Sequence, residues 1–433
     1  VTASHNPKEY NGYKAYWTDG SQVTAPHDRN IIAEVEKITS IDQILTGANP
    51  GNITLLGEEF DEIYLNKVHT LSLSPESVGK FHDMKIAYTP LHGAGVRLVP
   101  ASLRKWGFTN VSLGEEQAVI DGNFPTVESP NPEERKTMAK AIELGSRLGA
   151  DLVLATDPDS DRIGVALRNA KGEYVLLNGN QTLSLIMAYQ LTRWSELGRL
   201  DGKEFVVKTI VTSQMPNVMA AHFGVKCYDC LTGFKYIARI IRNNEGKATY
   251  IGGGEESFGY LAGDFVRDKD AVSACSLVAE AAAWTRDTMG LTLYEWLQKL
   301  YVEFGFFREG LVSVVRKGME GAAEIQQMMV DYRADPPREI AGSPVVKIND
   351  FKLLESTDVR TGAKTPIEEE ASNVLQWFAA DGTVVSVRPS GTEPKIKFYF
   401  GVRAELESVA DFDRVEVGLD AKIETIKKEL KLV

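Results

Sequence analysis

Short apolar segments alternate with helical segments between residues 79 and 200, and this alternation limits the fold more than any other feature of the chain. The apolar segments have the length and composition of buried strands, and the segments between them have the spacing of helices. The predicted strands are Lys85–Thr89, Val111–Leu113, Leu152–Thr156 and Ile163–Leu167, and the predicted helices include Pro132–Leu148 and Asn180–Leu191. Strands that alternate with helices predict a layered α/β domain.

The rest of the chain divides into three further blocks. The α/β pattern starts again after residue 200, with a strand in Glu204–Val211, a strand at Thr249–Ile251 and a long helix at Ala271–Met289. After residue 306, predicted strands follow one another with few helices between them, which indicates an α+β domain. In the first block, a helix is predicted at Asp28–Ile38, and the Ser- and Pro-rich segment Ser72–Gly79 is interpreted as a linker. The expected fold is multidomain α/β, with domains at 1–78, 79–200, 201–306 and 307–433.

Charge and cysteine content exclude several classes of protein. The chain has 433 residues and a net charge of −12. A general nucleic-acid or anionic-membrane binder would carry a basic excess, and no apolar segment approaches the ~20 residues of a membrane span. Three cysteines are far too few for a secreted disulfide scaffold. We therefore predict a cytoplasmic protein that binds neither nucleic acid nor membranes, in which any anion site is a local cluster of Lys and Arg.

An acidic loop, Asp157-Pro-Asp-Ser-Asp-Arg162, joins two of the predicted strands. Carboxylates at alternate positions of an extended loop point the same way, so Asp157, Asp159 and Asp161 can converge on one divalent cation. An EF-hand is excluded because Arg162 occupies the sixth position, where that loop needs glycine. A solvated acidic turn is the other interpretation. Because α/β proteins bind ligands where buried strands end, the sequence predicts a Mg²⁺ site with positions open for a phosphate oxygen.

The first residues of the chain contain a candidate nucleophile. Ser4 lies in Thr2-Ala-Ser-His-Asn-Pro7, next to His5 and ten residues before Lys14. A serine needs a neighbouring base or cation to react, and both residue types are close in sequence here. Read by itself, however, the segment is an ordinary turn.

A glycine-rich segment, Gly252-Gly-Gly-Glu-Glu-Ser-Phe-Gly259, follows the predicted strand that ends at Ile251. Glycines allow a backbone to approach a ligand closely, and the Glu255 carboxylate and Ser257 hydroxyl suit the hydroxyl groups of a sugar. A glycine-rich turn without a ligand is the alternative. The segment Arg267–Asp270 follows and is a further source of cations.

The segment Arg388-Pro-Ser-Gly-Thr-Glu-Pro-Lys395 lies between two predicted strands. One guanidinium, two hydroxyls, an ammonium and a backbone N–H at a glycine within such a short segment form a compact anion cradle. The spacing differs from that of a P-loop. We therefore expect a phosphate-binding hairpin, with an ordinary turn as the alternative.

Together, and in this order, the four loops resemble those of the α-D-phosphohexomutase superfamily, which includes phosphoglucomutases and phosphomannomutases. The resemblance extends over essentially the whole chain. It implies three related α/β domains, of which the first is incomplete, and a C-terminal α+β domain around a central cleft. Members of this family carry a segment before the serine loop, and we expect that a corresponding segment is missing from the sequence.

The resemblance also implies roles for individual residues. Ser4 would carry the phosphate, and Ser4, Asp157, Asp159 and Asp161 would bind Mg²⁺. The supporting active-site residues would be His5, Lys14 and Arg162. The substrate-binding residues would be Lys235, Glu255, Ser257, Arg388, Ser390, Gly391, Thr392 and Lys395. His92, in Leu-His-Gly-Ala-Gly, is either a further site residue or the cap of a turn.

The activity implied is the interconversion of a hexose 1-phosphate and a hexose 6-phosphate, with glucose 1,6-bisphosphate as intermediate and activator. The Glu-Glu-Ser-Phe-Gly form of the sugar loop favours glucose. The alternatives are a phosphomannomutase, a phosphopentomutase, a sugar-bisphosphate synthase and a non-catalytic sugar-phosphate binder. The expected partner is a small phosphosugar, and the expected state is a monomer or a weak dimer.

Overall fold

Three β-sheets organise the residues that the structure, a computed structural model, describes, which are 1–47, 49–316, 318–390 and 394–432. The helices are α1 (His27–Val35), α2 (Glu58–His69), α3 (Pro75–Lys80), α4 (Gly95–Trp106), α5 (Arg135–Leu148), α6 (Gly179–Glu196), α7 (Met215–His222), α8 (Phe234–Asn244), α9 (Ala271–Met289), α10 (Leu293–Phe304), α11 (Gly318–Ala334) and α12 (Phe412–Glu429). The strands are β1 (Ile86–Thr89), β2 (Val111–Leu113), β3 (Leu152–Thr156), β4 (Ile163–Arg168), β5 (Tyr174–Leu176), β6 (Glu204–Thr209), β7 (Lys226–Cys230), β8 (Thr249–Gly254), β9 (Tyr260–Ala262), β10 (Phe306–Val315), β11 (Glu339–Ile340), β12 (Ser343–Asp350), β13 (Glu355–Asp358), β14 (Lys364–Pro366), β15 (Leu375–Ala379), β16 (Val384–Pro389) and β17 (Lys395–Ala404).

The chain forms two compact units. The first comprises Val1–Lys208, Ala220–Tyr228 and Gly233–Glu295, and the second comprises Thr209–Met219, Asp229–Thr232 and Trp296–Val433. The four domain boundaries expected from the sequence stay a prediction. Within the described ranges, no helix is long and apolar enough to cross a membrane.

The sheet of the first unit that carries the acidic loop has the strand order β2-β1-β3-β4-β5. β1 pairs in parallel with both β2 and β3, whereas β4 pairs antiparallel with both β3 and β5. Every residue of β1 and β3 is buried, and α5 packs on these strands through Met138, Ala141 and Leu144. β2 lies on one side of β1 and β3 lies on the other. The chain therefore changes the direction in which it crosses the sheet between β1 and β3. The loops that leave β1 and β3 therefore meet at one edge, the position where open α/β sheets bind ligands.

The second sheet has the order β7-β6-β8-β9, and its strand β8 differs from the prediction. β8 continues past Ile251 to Gly254, and its glycines are buried. A Cβ on Gly253 would overlap the carbonyl oxygen of Val207, and a Cβ on Gly254 would overlap that of Gly259. The expectation that these glycines open the backbone to a ligand is therefore wrong, since they allow neighbouring segments of the sheet to pack closely.

The segment 72–79 is not an exposed linker, so that interpretation of the sequence is also wrong. α3 begins at Pro75, and Ser74 and Val78 are buried. The fully buried carboxylate of Glu280, in α9, accepts hydrogen bonds from the backbone N–H groups of Leu73 and Ser74 at 2.9 and 3.0 Å. Serine and proline are common where a helix starts as well as in linkers, and only the buried partner distinguishes the two cases.

The first 57 residues contain little regular structure in the part of the chain that the structure describes. α1 ends at Val35 rather than Ile38, and none of its described residues is buried. Isolated bridges join Tyr16 to Gln22 and Ser21 to Arg267. The predicted apolar face of α1 is therefore exposed, and the bridge from Ser21 to Arg267 joins this segment to the loop before α9.

The sheet of the second unit is antiparallel, with the order β10-β17-β16-β15-β12-β13-β14 and with β11 beside β12. α12 packs against β10 and β17 and buries Leu419, Ile423 and Ile426, at the helical spacing seen in the sequence. The sequence did not predict β10 or α11. This combination of an antiparallel sheet with helices confirms the expected α+β character of the last block.

Candidate active site

The acidic loop is the turn between β3 and β4. Asp157 is fully buried, Asp161 is 7% exposed, and one carboxylate oxygen from each of Asp157, Asp159 and Asp161 lies within 4.8 Å of the others. The turn is held by Asp157 Oδ1, which accepts hydrogen bonds from the backbone N–H groups of Asp161 and Arg162 at 3.0 Å each. Ser160, at its centre, has a positive φ of 58°, a conformation that costs energy for a non-glycine residue and is enriched at functional sites.

Two lysines partly neutralise this cluster. Lys14 Nζ lies 3.2 Å from Asp159 Oδ2 and 3.0 Å from Asp161 Oδ2, and Lys269 Nζ lies 3.0 Å from Asp161 Oδ2. Burial, followed by repulsion from Asp161 and Asp159, holds the pKa of Asp157 well above its ordinary value. Burial acts on Asp161 in the same direction, but Lys269, Lys14 and Arg162 together lower its pKa. The two lysines therefore offset the negative charges of Asp159 and Asp161 but do not pair with Asp157.

The donor set fits a hard divalent cation. Among the described residues, Asp159 Oδ1 and Asp161 Oδ1 are buried and accept no hydrogen bond, although the opposite oxygens of both carboxylates bind Lys14. Buried carboxylate oxygens are costly to leave without a partner, and oxygen donors are the ligands that Mg²⁺ prefers. Asp157, Asp159 and Asp161 therefore form a group that can hold a metal ion.

Ser4 lies against this cluster, although 153 residues separate it from Asp157. Its hydroxyl is 3.4 Å from Asp157 Oδ2 and 3.1 Å from His5 Nδ1. Thr2 fixes the loop, since its hydroxyl donates to Asp159 Oδ2 at 3.1 Å and accepts from the Ser4 N–H at 2.8 Å. Ser4 itself has a positive φ of 53°. The structure thus brings together the predicted nucleophile, the predicted metal ligands, His5 and Lys14.

The glycine-rich sugar loop is attached to the acidic loop through its backbone. Ile163 N–H donates to Phe258 O at 3.0 Å, and Arg162 and Gly259 form an isolated bridge. Glu255 is 6% exposed, and its carboxylate accepts a hydrogen bond from the Gly233 N–H at 2.9 Å. Burial raises the pKa of Glu255. Ser257 is half-buried beside it.

Lys235 lies in the first turn of α8, directly after the segment that Glu255 holds. Its Nζ is 3.2 Å from Asp28 Oδ2, in the segment that follows the serine loop, and both side chains remain partly exposed. Arg242, also on α8, pairs with Asp19 at 3.0 Å. These ion pairs place α8 beside the serine segment, and the substrate-binding role of Lys235 stays a prediction.

Lys269 also lies in this site, although no sequence motif identified it individually. Its buried side chain joins Asp161 and Asp268, and despite the opposing effect of burial these carboxylates raise its pKa. A Cβ on Gly259 would overlap the aliphatic stem of Lys269, so the last glycine of the sugar loop provides the space for it. The Arg-Asp-Lys-Asp run was the available signal, but sequence alone did not identify which cation reaches the acidic loop.

His92 has a structural role instead. Its ring nitrogens lie 2.9 Å from Val119 O and 2.8 Å from Thr126 Oγ1, and the residue is 2% exposed. The following residues support the acidic loop, because Ala94 N–H donates to Pro158 O at 2.8 Å and a Cβ on Gly93 would overlap the Pro158 backbone. The second interpretation of this motif, a capped turn, is the one that agrees with these contacts.

The predicted phosphate cradle belongs to the second unit. Arg388 lies near the end of β16, and Lys395 begins β17. The Ser390 N–H donates to Lys395 O at 2.8 Å, which closes the hairpin. Gly391 and Thr392 lie outside the described residues. The hairpin expected from the sequence is therefore present, and its phosphate-binding role stays a prediction.

Four family profiles match the chain in succession. They are described as phosphoglucomutase/phosphomannomutase alpha/beta/alpha domain I, matching residues 1–42, domain II, matching 62–172, domain III, matching 178–304, and the C-terminal domain, matching 346–417.

Relatives and solved structures agree with these profiles. A phosphoglucomutase of Staphylococcus aureus (strain MRSA252) is 34% identical over 427 residues, which cover 98% of this chain and 74% of the relative. A phosphoglucomutase/phosphomannomutase family protein of Burkholderia thailandensis, 17% identical, has a TM-score of 0.65 and covers 99% of this chain and 76% of its own. An Aspergillus fumigatus N-acetylphosphoglucosamine mutase, solved with GlcNAc-6P and magnesium, is 13% identical with a TM-score of 0.51, covering 98% of this chain and 88% of its own. These two structures share the fold.

Proposed function

Because this chain belongs to the phosphoglucomutase/phosphomannomutase family and is a phosphohexomutase, we propose that it interconverts glucose 1-phosphate and glucose 6-phosphate through a phosphate carried by Ser4. The observation that carries the assignment to Ser4 is its hydroxyl, 3.4 Å from Asp157 Oδ2 within the carboxylate cluster. A hydroxyl nucleophile in contact with a cation site is the arrangement that phosphoryl transfer requires.

In the first half-reaction, phosphorylated Ser4 donates its phosphoryl group to the free hydroxyl of the bound sugar phosphate. A bond forms between the sugar oxygen and phosphorus as the sugar hydroxyl gives up its proton to solvent, and the bond between phosphorus and Ser4 Oγ breaks as Ser4 Oγ takes up a proton. The product, glucose 1,6-bisphosphate, then turns over in the site and returns its other phosphoryl group to Ser4. The family resemblance assigns the binding of a phosphate group to Arg388, Ser390, Gly391, Thr392 and Lys395, and that role is part of the proposal.

His5 and Lys14 have different tasks in this scheme. His5 Nδ1 is 3.1 Å from Ser4 Oγ, so His5 is placed to give a proton to that oxygen as the phosphoryl group leaves and to take it back on return. Burial alone would lower the pKa of Lys14, but Asp161 and Asp159 raise it. As an ammonium group in contact with both aspartates, Lys14 is placed to stabilise negative charge on the transferring phosphoryl group.

Mg²⁺ would be held by Asp157, Asp159, Asp161 and an oxygen on Ser4, where it would supply charge neutralisation for the transferring phosphoryl group. The buried oxygens Asp159 Oδ1 and Asp161 Oδ1, which accept no hydrogen bond from any described residue, support this assignment. The magnesium named with the Aspergillus mutase is consistent with it.

The sugar hydroxyls would meet Glu255, Ser257 and Lys235. The preference for glucose over mannose or N-acetylglucosamine rests on the Glu-Glu-Ser-Phe-Gly form of the loop and on the phosphoglucomutase relative. We expect kcat/KM for glucose 1-phosphate to exceed that for mannose 1-phosphate by about tenfold or more, the discrimination that a hydrogen-bonded hydroxyl provides. A cytoplasmic location, supported by the low cysteine content, and a monomeric or weakly dimeric state are parts of the same proposal.

The assay uses glucose 1-phosphate, Mg²⁺ and a trace of glucose 1,6-bisphosphate, and measures glucose 6-phosphate. Intact-mass analysis then looks for one added phosphoryl group, which Ser4→Ala should abolish together with turnover. Ser40→Ala, at an exposed helix cap, is the control. Release of free phosphate without glucose 6-phosphate, or full turnover by Ser4→Ala, would contradict the proposal.

A further inference from the structure

The turn before α5, residues 129–133, contacts both loops to which the chemistry has been assigned. We infer that Glu133 and Ser129 are positioning residues of the phosphoryl-transfer site, with Glu133 acting through Arg162 and Ser129 through the backbone of the serine loop. The inference rests on the proposed function, because it concerns the geometry of the same site. Neither residue belongs to a motif found in the sequence.

Glu133 orients the guanidinium of Arg162. Arg162 Nη1 donates to Glu133 Oε1 at 3.0 Å, whereas Arg162 Nε is 3.9 Å from Asp157 Oδ2 and 3.8 Å from Asp161 Oδ1, beyond hydrogen-bond range. Arg162 Nε is buried and, among the described residues, has no hydrogen-bond partner. Among the described residues, the hydrogen bond to Glu133 therefore sets the direction of the Arg162 guanidinium. The carboxylates of Asp157 and Asp161 also attract it, but at longer distances.

Ser129 fixes the serine loop from the other end of the same turn. Its hydroxyl donates to the carbonyl oxygen of His5 at 3.1 Å. Its own carbonyl accepts a hydrogen bond from the hydroxyl of Thr137, in α5, at 2.8 Å. Ser129 thus connects the residue next to Ser4 to a helix that packs on β1 and β3.

The turn itself is well held, as a positioning element must be. Asn131 Oδ1 accepts from the Glu133 N–H at 3.1 Å, and Asn131 O accepts from the Glu134 N–H at 3.0 Å. Pro132 packs on β4, where a Cβ on Gly164 would lie 2.9 Å from Pro132 Cβ. The turn therefore sets the distance between the serine loop and the acidic loop from a rigid base.

Stability alone does not account for this arrangement. The Glu133 side chain is 30% exposed and that of Arg162 is 17% exposed, and ion pairs near the surface add little to the stability of a fold. Orientation of Arg162 beside Asp157 and Asp161 is a more specific consequence, because small displacements of a group at a reacting centre lower the rate strongly.

A double-mutant cycle tests whether Glu133 acts through Arg162. We expect Glu133→Met, which removes the acceptor oxygen but keeps the length, to lower kcat by about tenfold or more with a much smaller change in KM. Glu133→Gln, which keeps an acceptor oxygen, should recover most of the rate. On an Arg162→Ala background, Glu133→Met should lower kcat by less than about twofold, since acting through one group makes the effects non-additive.

Glu116→Met is the matched control, because it removes an exposed carboxylate that pairs with Lys140, in α5, and not with a residue of the acidic loop or the serine loop. Its kcat should equal that of the wild type. For Ser129, we expect Ser129→Ala to slow phosphorylation of Ser4 by glucose 1,6-bisphosphate, followed by intact mass, and Ser129→Thr to restore it. Melting temperatures identify any variant that fails to fold. If Glu133→Met or Ser129→Ala does not fold, the rates of Glu133→Gln and Ser129→Thr are compared with the wild type instead.

Three results would overturn the inference: a kcat for Glu133→Met within about threefold of the wild type, a full additional loss on the Arg162→Ala background, or equal rates for Ser129→Ala and Ser129→Thr. An inactive wild-type protein is a different outcome, since it would refute the proposed function before any variant is compared.

Discussion

The buried carboxylate of Glu280 is expected to stabilise the segment before α3 measurably. It accepts hydrogen bonds from the N–H groups of Leu73 and Ser74 at 2.9 and 3.0 Å, and from the hydroxyls of Ser72 and Tyr189 at 2.5 and 2.8 Å. The two hydroxyls can rotate toward other acceptors. The two backbone N–H groups cannot, so they determine the cost of losing the carboxylate.

Glu280→Leu keeps the volume of the side chain and removes every acceptor. Each buried N–H left without a partner costs about 1–3 kcal/mol, and loss of the desolvated carboxylate offsets part of the sum. We therefore expect a net loss of about 2–4 kcal/mol. Glu280→Gln retains one acceptor oxygen, and about 1–2 kcal/mol is expected for it.

Amide hydrogen exchange reports this loss locally. Since about 1.4 kcal/mol is a factor of ten, exchange at Leu73 and Ser74 should accelerate by about 30-fold or more in Glu280→Leu, and by less in Glu280→Gln. Glu143→Gln, on the exposed side of α5, serves as the control. If exchange at these two amides were unchanged in Glu280→Leu, the interpretation of segment 72–79 as a buried, carboxylate-capped helix start would be refuted.

Three further predictions concern the site and the second unit. Asp159→Asn should raise the Mg²⁺ concentration for half-maximal activity by about tenfold or more, because it weakens one ligand of the carboxylate cluster; a Mg²⁺ titration beside Asp42→Asn measures this. Lys269→Met should lower kcat by about tenfold or more, because Asp161 loses a buried cation, and steady-state kinetics with a check of the melting temperature measure it. Burial raises the pKa of Glu309, in β10, to about 7, so the stability associated with its protonation is complete below about pH 4.5 and is lost as the pH rises through 7. Glu309→Gln should therefore reduce the difference in the free energy of unfolding between pH 5 and pH 8, measured by denaturant unfolding, by an amount on the order of 2 kcal/mol.

Each of these has a contradicting result. An unchanged Mg²⁺ response in Asp159→Asn would count against the metal cluster, and wild-type kcat in Lys269→Met would remove Lys269 from the site. For Glu309→Gln, a pH dependence identical to that of the wild type would show that the carboxyl titrates normally in the folded chain.

Elements whose residues carry a local signal could be predicted from the amino-acid sequence. β3 (Leu152–Thr156) and α9 (Ala271–Met289) have the predicted bounds, because continuous apolar residues or helical spacing decide them without help from distant segments. The acidic loop could also be identified, because three carboxylates at alternate positions after a buried strand form a pattern within six residues. The four loops together then indicated the family.

Elements without a local sequence signal form because of contacts with segments that are distant in the sequence. β10 contains Arg308, Glu309 and Gly310 in its middle and shows no clear alternation, yet it pairs with β17 along its whole length. Strand formation there follows from a neighbouring strand rather than from intrinsic preference. Segment 72–79 was misread for the same reason, since its capping carboxylate is more than 200 residues away in sequence.

The contacts that support the candidate active site became visible in the three-dimensional structure. In the sequence, Ser4 is a candidate nucleophile only in combination with the other three loops, and the structure adds its distances of 3.4 Å to Asp157 Oδ2 and 3.1 Å to His5 Nδ1. Lys269 and Glu133 reach the acidic loop from segments that sequence patterns left without a specific role. Motifs reveal groups that lie close together along the chain, whereas groups that orient them can come from any segment that folding places nearby, and no local pattern records that proximity.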